Sequence, residues 1–362
     1  MKKIISIYIS AVMLILCSSA VSAETPASIT MTVDEAVSYT LEHSSAMSKC
    51  NAAIISAEYQ LYQAKSARKN ILKAESITSD SYLIASGYAQ EAAQMQYEMS
   101  KRSKIITEQS VTVQVKKDFY SYLNSLEVIK NAENNLSNAE EKLKAAEYQF
   151  TSGAISELDY KNFQLLKINA QNSLNSAIRN KDILFRTLKN TMNYTEEAEL
   201  IPVGSITYVP EEILDPDSAI LLSKDTPSYQ NINDAFSLAE RKWYLTKIHF
   251  TSATFNFKIE EAAYNTAISD RTESINNLEL GIRQTYNSLI TLSEQISALE
   301  FNLDILKNTA DAAYLRFEMG SLSAASYNDT VQKYTTAENE LQNLKLTYLT
   351  TKLTYENMYS TK

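Results

Sequence analysis

The side chains that could do chemistry in this chain are few and scattered. The 362 residues include two histidines, His43 and His249, each alone in a helical pattern. Two cysteines are present, and only Cys50 lies outside the first 23 residues, so neither a His-rich metal site nor an internal disulfide is expected. No nucleophile–base pair, phosphate-binding glycine loop or metal-ligand cluster can be identified in the sequence. We therefore predict that the protein is not an enzyme and uses no cofactor or metal.

Carboxylates and tyrosines are the remaining polar candidates. Glu133 and Glu300 occupy the same place in two copies of a heptad pattern, where a partly solvated position is the simplest interpretation. A charge facing a water-filled space is the alternative interpretation. The chain also has 23 tyrosines, and many of them fall on the heptad pattern, where packing is the expected role.

The first 23 residues have the pattern of a secretory leader. A short basic start precedes the apolar residues 4–16, and small residues lead up to Ala23, after which we expect cleavage. A lipoprotein signal at Cys17 is the alternative, although Leu16 stands where a small residue is usual. No other apolar run reaches the ~18–20 residues of a membrane helix, so we predict export to the cell envelope. The formal charge of -9 argues against a nucleic-acid partner.

One structural unit occurs twice in the chain. Residues 115–192 align without a gap on residues 282–359, at a shift of 167 positions, with 17 identities in 78. A self-match at a fixed distance is the signature of a repeated structural unit. The identical pairs include Phe150 and Phe317, Gly153 and Gly320, Ser156 and Ser323, Tyr160 and Tyr327, and Leu174 and Leu341.

Helix-breaking residues are confined to a few places. The chain has five prolines, four of them between 202 and 227, and only five glycines, so very long helices are permitted. We predict helices over 32–84, 88–150 and 156–195 in the first half, and over 227–268, 271–317 and 323–359 in the second. The predicted organisation is a signal peptide (1–23), a first helical repeat (24–198), a proline-containing linker (199–226) and a second helical repeat (227–362).

Apolar side chains follow a spacing of 3.5 residues in both halves, which is the seam of supercoiled helices. In the first copy the seam runs from Val115 through Phe119 and Leu136 to Phe150, and in the second from Ile282 through Leu303 to Phe317. After the first glycine turn a second apolar stripe lies beside the seam, which predicts a helix with neighbours on two sides. The residues of this second stripe are Leu165, Leu166, Ile168, Ile178, Ile183 and Phe185.

Four motifs resemble the TolC family of outer-membrane efflux proteins. Residues 32–37 (Thr-Val-Asp-Glu-Ala-Val) resemble the start of the family's first helix, and Thr226-Pro227 stands where its second repeat begins. The patterns from Phe150 to Tyr160 and from Phe317 to Ser323 resemble its two helix-turn tips. Together the motifs cover nearly the whole chain after the leader.

The resemblance implies a homotrimer that encloses a helical tunnel and docks its tips on a periplasmic-type adaptor (membrane fusion) protein of an inner-membrane transporter. Two acids match positions that narrow the tunnel mouth in the family, Asp159 and Asp329, although a helix cap explains Asp159 equally well. Leu322 stands where a gating arginine can occur, and Ser326 where a second aspartate can, so closure held by charged pairs is not expected. The docking residues implied at the tips are Ser152, Gly153, Ala154, Ile155, Met319, Gly320, Ser321 and Leu322.

The sequence does not support the membrane strands that the family has. Residues 71–104 favour helix, and 255–259 alternate over too few positions for a membrane strand of ~9–11 residues. The predicted fold class is therefore all-α or nearly so, with two repeats of long antiparallel coiled-coil-like helices forming part of a TolC-type α-barrel and few or no membrane β-strands. The resemblance implies an outer-membrane location, or the cell surface or extracytoplasmic space if the barrel is absent. An exported helical-bundle spacer with a structural or adhesive role is the alternative function.

Overall fold

A computed structural model describes residues 28–74, 78, 81–205 and 213–361, so the predicted leader and its cleavage site lie outside the described residues. Helices dominate the described part, and its two strands have four residues each, which confirms the nearly all-α prediction. None of the helices found in these residues combines the length and the apolarity needed to cross a membrane. The elements in chain order are β1 (Ser28–Met31), α1 (Val33–His43), α2 (Ser45–Ile71), α3 (Tyr82–Ala85), α4 (Tyr88–Thr151), α5 (Glu157–Thr191), β2 (Glu199–Pro202), α6 (Pro216–Ser223), α7 (Pro227–His249), α8 (Phe255–Glu318) and α9 (Ala324–Tyr359).

Two very long helices, α4 and α8, form the frame of the molecule. Each has 64 residues, which corresponds to about 96 Å at ~1.5 Å per residue. Their first residues, Tyr88 and Phe255, are 167 positions apart, as are the first residues of α5 and α9. The repeat therefore includes the whole of α4 and α8, and it begins well before the matched sequence at residue 115.

Side-chain caps begin the helices where the sequence predicts them. The Thr32 backbone N–H donates to Glu35 Oε2 at 2.7 Å, and the Glu35 N–H donates to Thr32 Oγ1 at 3.4 Å, which together form a capping box. The hydrogen bond from the Thr32 backbone lowers the pKa of Glu35. Thr226 caps α7, and Pro227 occupies its first turn, where the missing N–H has no cost.

Two of the predicted helix boundaries are wrong. The helix expected over 32–84 is interrupted at Ser44, whose extended backbone and side-chain bond to the Ala46 N–H start a new helix, and it ends at Ile71. In the second half the break lies at 250–254 and not near 269, because Thr254 caps α8 through the Phe257 N–H. The first repeat is longer by four residues in α2 than in α7, and by eleven in the connection that follows.

A small core lies against the middle of α4 and is built from the first repeat and from β2, the strand that follows it. Strand β1 pairs in parallel with β2, with Ser28 opposite Glu199, and the pair covers the middle of α4 together with α1. On α4, Phe119 and Leu123 face this core and are buried. Leu126, which lies on the predicted seam, is 37% exposed instead. The proline-containing segment predicted as a linker holds β2 and α6, and α6 packs on α8 and α9.

Four helices lie side by side in the half that ends at the glycine turns. Helix α4 packs on α5, α8 packs on α9, and α9 also contacts α4 and α5, so α9 joins the two helical hairpins. Seam residues Ile282, Leu289 and Ile296 of α8 are fully buried, as the heptad pattern predicts. Helices α5 and α8 each bury one seam only, and the rest of their surfaces faces outward.

Candidate functional site

The two glycine turns have the same geometry. Gly153 and Gly320 adopt φ values of +74° and +73°, in the left-handed region where glycine carries no side-chain penalty. The Ala154 N–H donates to the Gln149 carbonyl at 2.7 Å, and the Ser321 N–H donates to the Arg316 carbonyl at 2.9 Å. The glycine N–H groups also donate, to the Phe150 carbonyl at 3.0 Å and to the Phe317 carbonyl at 2.8 Å. Each turn therefore forms a Schellman motif, which satisfies carbonyls in the last turns of α4 and α8.

Both turns lie at one end of the molecule, which we call the tip end, and they pack on each other. The Phe163 ring meets Phe317 edge-on at 5.0 Å and lies 6.1 Å from the Tyr327 ring. Burial raises the pKa of Tyr327 to about 12, with a further effect from the Asp311 charge. Because residues of both repeats form this one cluster, the tips are held together as a single surface.

Six of the eight tip residues implied by the resemblance point outward at this surface. Met319 is 74% exposed, and neither glycine has a neighbour within 4 Å of the position that a Cβ would occupy. Ile155 and Leu322 are half-buried instead and pack against the aromatic cluster. The outward-facing residues are Ser152, Gly153, Ala154, Met319, Gly320 and Ser321.

The two candidate acids have different surroundings. Asp159 accepts a hydrogen bond from the Ser156 hydroxyl at 2.6 Å and another from the Ala324 backbone N–H, across the junction of the tips, at 3.3 Å. Asp329 is exposed and lines a groove above the tips. At the position equivalent to Asp159, Ser326 donates its N–H to the Ser323 hydroxyl at 3.3 Å and so completes the cap of α9.

The groove is a space of about 810 Å³ between α4, α5, α8 and α9, lined by both polar and apolar side chains. Lys142 lies over the Tyr314 ring at 3.0 Å from its centre, and burial lowers the pKa of this lysine. The amide of Asn328 donates to the Asn162 carbonyl at 2.7 Å, which joins α9 to α5 beside the groove. The sequence analysis did not predict this groove. The feature that could have indicated it is a set of asparagines on the facing helices, at positions 135, 138, 162, 169, 328 and 339.

Apolar side chains remain exposed along α5 and α8. On α5, most of the predicted second stripe is uncovered in the single chain, with Ile168 55% and Ile183 61% exposed. On α8, Phe301 is 72% and Ile305 48% exposed, and the sequence analysis did not identify this face. Counted along the helices, Ile168 and Ile305 lie 12 and 13 residues from Ser156 and Glu318 at the tips, and Ile183 and Ile290 lie 27 and 28 residues from them.

Most of the other residues considered as chemical candidates have structural partners. Cys50 is half-buried, with Sγ 3.3 Å from Thr107 Oγ1, and His43 stacks on the Tyr39 ring at 4.1 Å. Glu300 forms a 2.7 Å ion pair with Lys345, whereas Glu133 is exposed at its position in the first repeat. Across the described ranges, no group of histidine, cysteine, aspartate and glutamate is placed to hold a metal ion.

Comparison with known proteins relies on structure. No protein-family model matches the sequence, and no curated protein sequence matches it significantly. CusC, described in terms of transmembrane channel formation, superposes with a TM-score of 0.76 at 12% identity, over 91% of this chain and 92% of that one.

Two further solved structures give the same result. The CmeC outer membrane channel of Campylobacter jejuni superposes with a TM-score of 0.71 at 13% identity, over 90% of this chain and 85% of that one. The outer membrane protein VceC of Vibrio cholerae superposes with a TM-score of 0.72 at 11% identity, over 90% and 95%. This chain therefore has the fold of the TolC family of outer-membrane efflux channels.

Proposed function

We propose that this protein is the channel component of an efflux or secretion system in the cell envelope. Three copies close around an axis, and their long helices form the wall of a tunnel. The observation that carries the proposal is the pair of matched glycine turns, which the aromatic cluster holds together at one end with their outer residues exposed. A spacer with a structural or adhesive role needs no such pair of turns, so the geometry favours the channel.

The outer faces of α5 and α8 supply a means of assembly. Each carries exposed isoleucines at matching heights above the tips, Ile168 with Ile305 and Ile183 with Ile290. Packing α5 of one copy on α8 of the next buries both stripes. Since this contact joins different surfaces, it generates a ring if the rotation closes. Complete burial of an isoleucine contributes roughly 1.5–3 kcal/mol, and the contact would supply the share of it that corresponds to the area still exposed in the single chain.

Docking of the tips on an adaptor protein is the second part of the proposal. The exposed turn residues form a small end surface with little side-chain bulk, which lets a partner approach the backbone closely. We expect the partner to be a periplasmic-type adaptor of an inner-membrane transporter, because the chain has the fold of outer-membrane efflux channels. Asp329 and the groove between the four helices lie directly above this surface and would line the entrance.

Cysteine cross-linking tests the assembly. We would replace Cys50 with serine, introduce Ile168→Cys and Ile305→Cys together, and oxidise the protein purified after export. The account expects a ladder of covalent dimers and trimers that ends at three copies. The matched control moves the first cysteine to Asn172, an exposed position one helical turn along α5, where cross-linking should fall sharply. Monomers alone, or a ladder that continues beyond three copies, would contradict the closed ring.

A further inference from the structure

The groove between the two helical hairpins is lined by polar side chains at helical spacing. On α9 they lie three or four residues apart and form one stripe along the helix, made of Asn328, Gln332, Thr335 and Asn339. Opposite this stripe, α4 contributes Asn135 and Asn138, and α5 contributes Asn162 and Asn169. Helices that pack on each other usually present apolar residues at this spacing. Polar residues on both sides therefore indicate a junction that is not built for dry packing.

The two repeats differ in residue type at this junction. At the shift of 167 positions, Thr335 of α9 corresponds to Ile168 of α5. In the same way, Asn138 of α4 corresponds to Ile305 of α8. Ile168 and Ile305 are the exposed residues that we propose to join neighbouring copies. The junction inside one chain thus carries hydrogen-bonding groups at positions where the other repeat carries isoleucines, although both repeats share one helical frame.

Two polar groups of the groove are not fully satisfied within the chain. The Asn328 side chain is oriented by the bond from its Nδ2 to the Asn162 carbonyl, and its Oδ1 is buried and accepts no hydrogen bond in the described part of the chain. Lys142 forms no ion pair with a carboxylate among the described residues, and its ammonium group lies over the Tyr314 ring. A buried acceptor without a donor costs free energy. The groove therefore favours a ligand that brings a donor to Asn328 and an acceptor to Lys142.

We propose that this groove binds an extended, uncharged peptide segment through its main chain. A peptide main chain offers a donor and an acceptor at nearly every residue, and side-chain amides match both. The stripe on α9 runs from position 328 to position 339, which is roughly 16 Å along the helix and equals the length of about five extended residues. The groove volume of about 810 Å³ lies within the range of ligand pockets, which is roughly 300–1,000 Å³.

The floor and the charges of the groove define the peptide further. Leu166 and Val331 line the groove and are half-buried, so they offer an apolar surface to every second side chain of an extended segment. The charged residues of the lining balance each other, and they are Lys142, Lys307, Asp311 and Asp329. We therefore expect a segment in which apolar and uncharged polar residues alternate. An oligosaccharide also offers hydroxyl groups, but it has no alternating apolar side chains for this floor, so a peptide fits better.

Peptide binding tests the proposal with the protein purified after export. The probes are a set of acetylated and amidated hexapeptides in which apolar residues alternate with serine, threonine or asparagine, each carrying a fluorescent label. Fluorescence anisotropy should detect binding with a Kd below about 1 mM for members of the set. Methylation of the backbone nitrogens of alternate residues removes N–H donors and should lower the affinity at least about tenfold. Chitotetraose is the carbohydrate probe, and it should not displace the peptides.

Variants locate the contact. Gln332→Leu with Thr335→Ile gives α9 the residue types found at positions 165 and 168, and this change should lower the peptide affinity at least about tenfold. The matched control is Asn343→Leu with Thr347→Ile, because these two residues are exposed on the same helix and do not line the groove. The control should bind peptide like the parent. Circular dichroism and thermal unfolding confirm that each variant is folded.

Three results would overturn the inference. The first is the absence of binding across the whole peptide set, and the second is equal affinity for the N-methylated peptides, which would exclude recognition of the main chain. The third is a loss of affinity in the control variant as large as in the groove variant, which would place the contact elsewhere. Displacement of the peptides by chitotetraose would make the groove a carbohydrate site and would also contradict the proposal. One chain lines the groove, so the test is independent of ring closure, which the cross-linking above examines.

Discussion

The Asp159 carboxylate accepts a hydrogen bond from the backbone N–H of Ala324 at 3.3 Å, so an acid in the first turn of α5 also serves the first turn of α9. The same carboxylate accepts from the Ser156 hydroxyl at 2.6 Å. One side chain therefore stabilises both tips and fixes their spacing. A role as a tunnel-mouth charge would be additional to this structural role.

Replacing Asp159 with alanine should destabilise the protein by about 1–2 kcal/mol, because two helix starts lose an acceptor. Asp159→Asn keeps an acceptor oxygen and should cost less than half of that. Denaturant unfolding measures both values, and hydrogen exchange at the first amides of α9 locates the change. Asp329→Asn, at an exposed position, is the control and should stay within about 0.5 kcal/mol of the parent. If Asp159→Ala exchanges like the parent at Ala324, the bridging role is wrong.

Valine at Gly153 and Gly320 should impair docking more than folding. The positive φ at each position costs a residue with a side chain roughly 1–2 kcal/mol, and no neighbour lies within 4 Å to clash. Helix content measured by circular dichroism should therefore be retained, while the new branched side chains alter the tip surface. Binding to a candidate adaptor, measured by biolayer interferometry, should fall. Unchanged adaptor affinity in the double variant would show that the tips do not dock.

Gly281→Ala is a matched control for those changes. This glycine lies inside α8, and a Cβ there would meet only Met358 Cε at 3.9 Å. Alanine in a helix interior should raise the stability by about 0.5–1 kcal/mol, and it should leave adaptor binding unchanged. A destabilised Gly281→Ala protein would mean that the packing of α8 on α9 is closer than described.

Two adjacent residues of α8 allow the core and the proposed contact between copies to be tested separately. Leu289 is fully buried, so Leu289→Ala should destabilise the fold by about 2–5 kcal/mol. Ile290 is 37% exposed, so Ile290→Ala should destabilise the single chain clearly less than Leu289→Ala and should weaken association. Thermal unfolding gives the first quantity and sedimentation velocity the second. The reverse pattern would contradict both the seam and the assembly face.

Stability should decrease at alkaline pH because of buried tyrosines. Burial raises the pKa of Tyr314, Tyr327 and Tyr355 to about 12, whereas an unfolded tyrosine ionises near about 10. Since the folded protein holds these protons more tightly, their stabilisation is fully present below pH ~10 and is lost as the pH rises towards ~12. The slope of unfolding free energy against pH should be shallower in Tyr355→Phe. An unchanged slope would mean that Tyr355 ionises in the folded chain as it does in water.

Much of the fold could be predicted from residue spacing. The glycine turns, the caps at Thr32, Ser156 and Thr226, and the buried seam of α8 all follow from local chemistry within a few residues. The break after His249 could not be predicted in the same way, because Thr254 caps α8 within a run that also favours helix. Tertiary contact also overrode the pattern in α4, where the paired strands and α1 bury Leu123 in place of Leu126.

The site was predicted less completely than the fold. Matching turns at Gly153 and Gly320 identified the tip end, but the sequence did not indicate that Ile155 and Leu322 turn inward, because their burial depends on the packing of one repeat on the other. The exposed face of α8 has a spacing of about 3.6 residues that could have been detected. That spacing indicates an assembly face only if this side of α8 stays uncovered in the folded chain, and only the structure shows that it does.

The central claim is that copies of this chain close around a lumen, and a mass spectrum under native conditions tests it most directly. The account predicts a dominant species of three chains for the protein purified after export, with dissociation to monomers in Ile290→Ala. Images of that species should show a hollow rod with the glycine turns at one end. A monomer at high concentration, or an open filament without a lumen, would contradict the account.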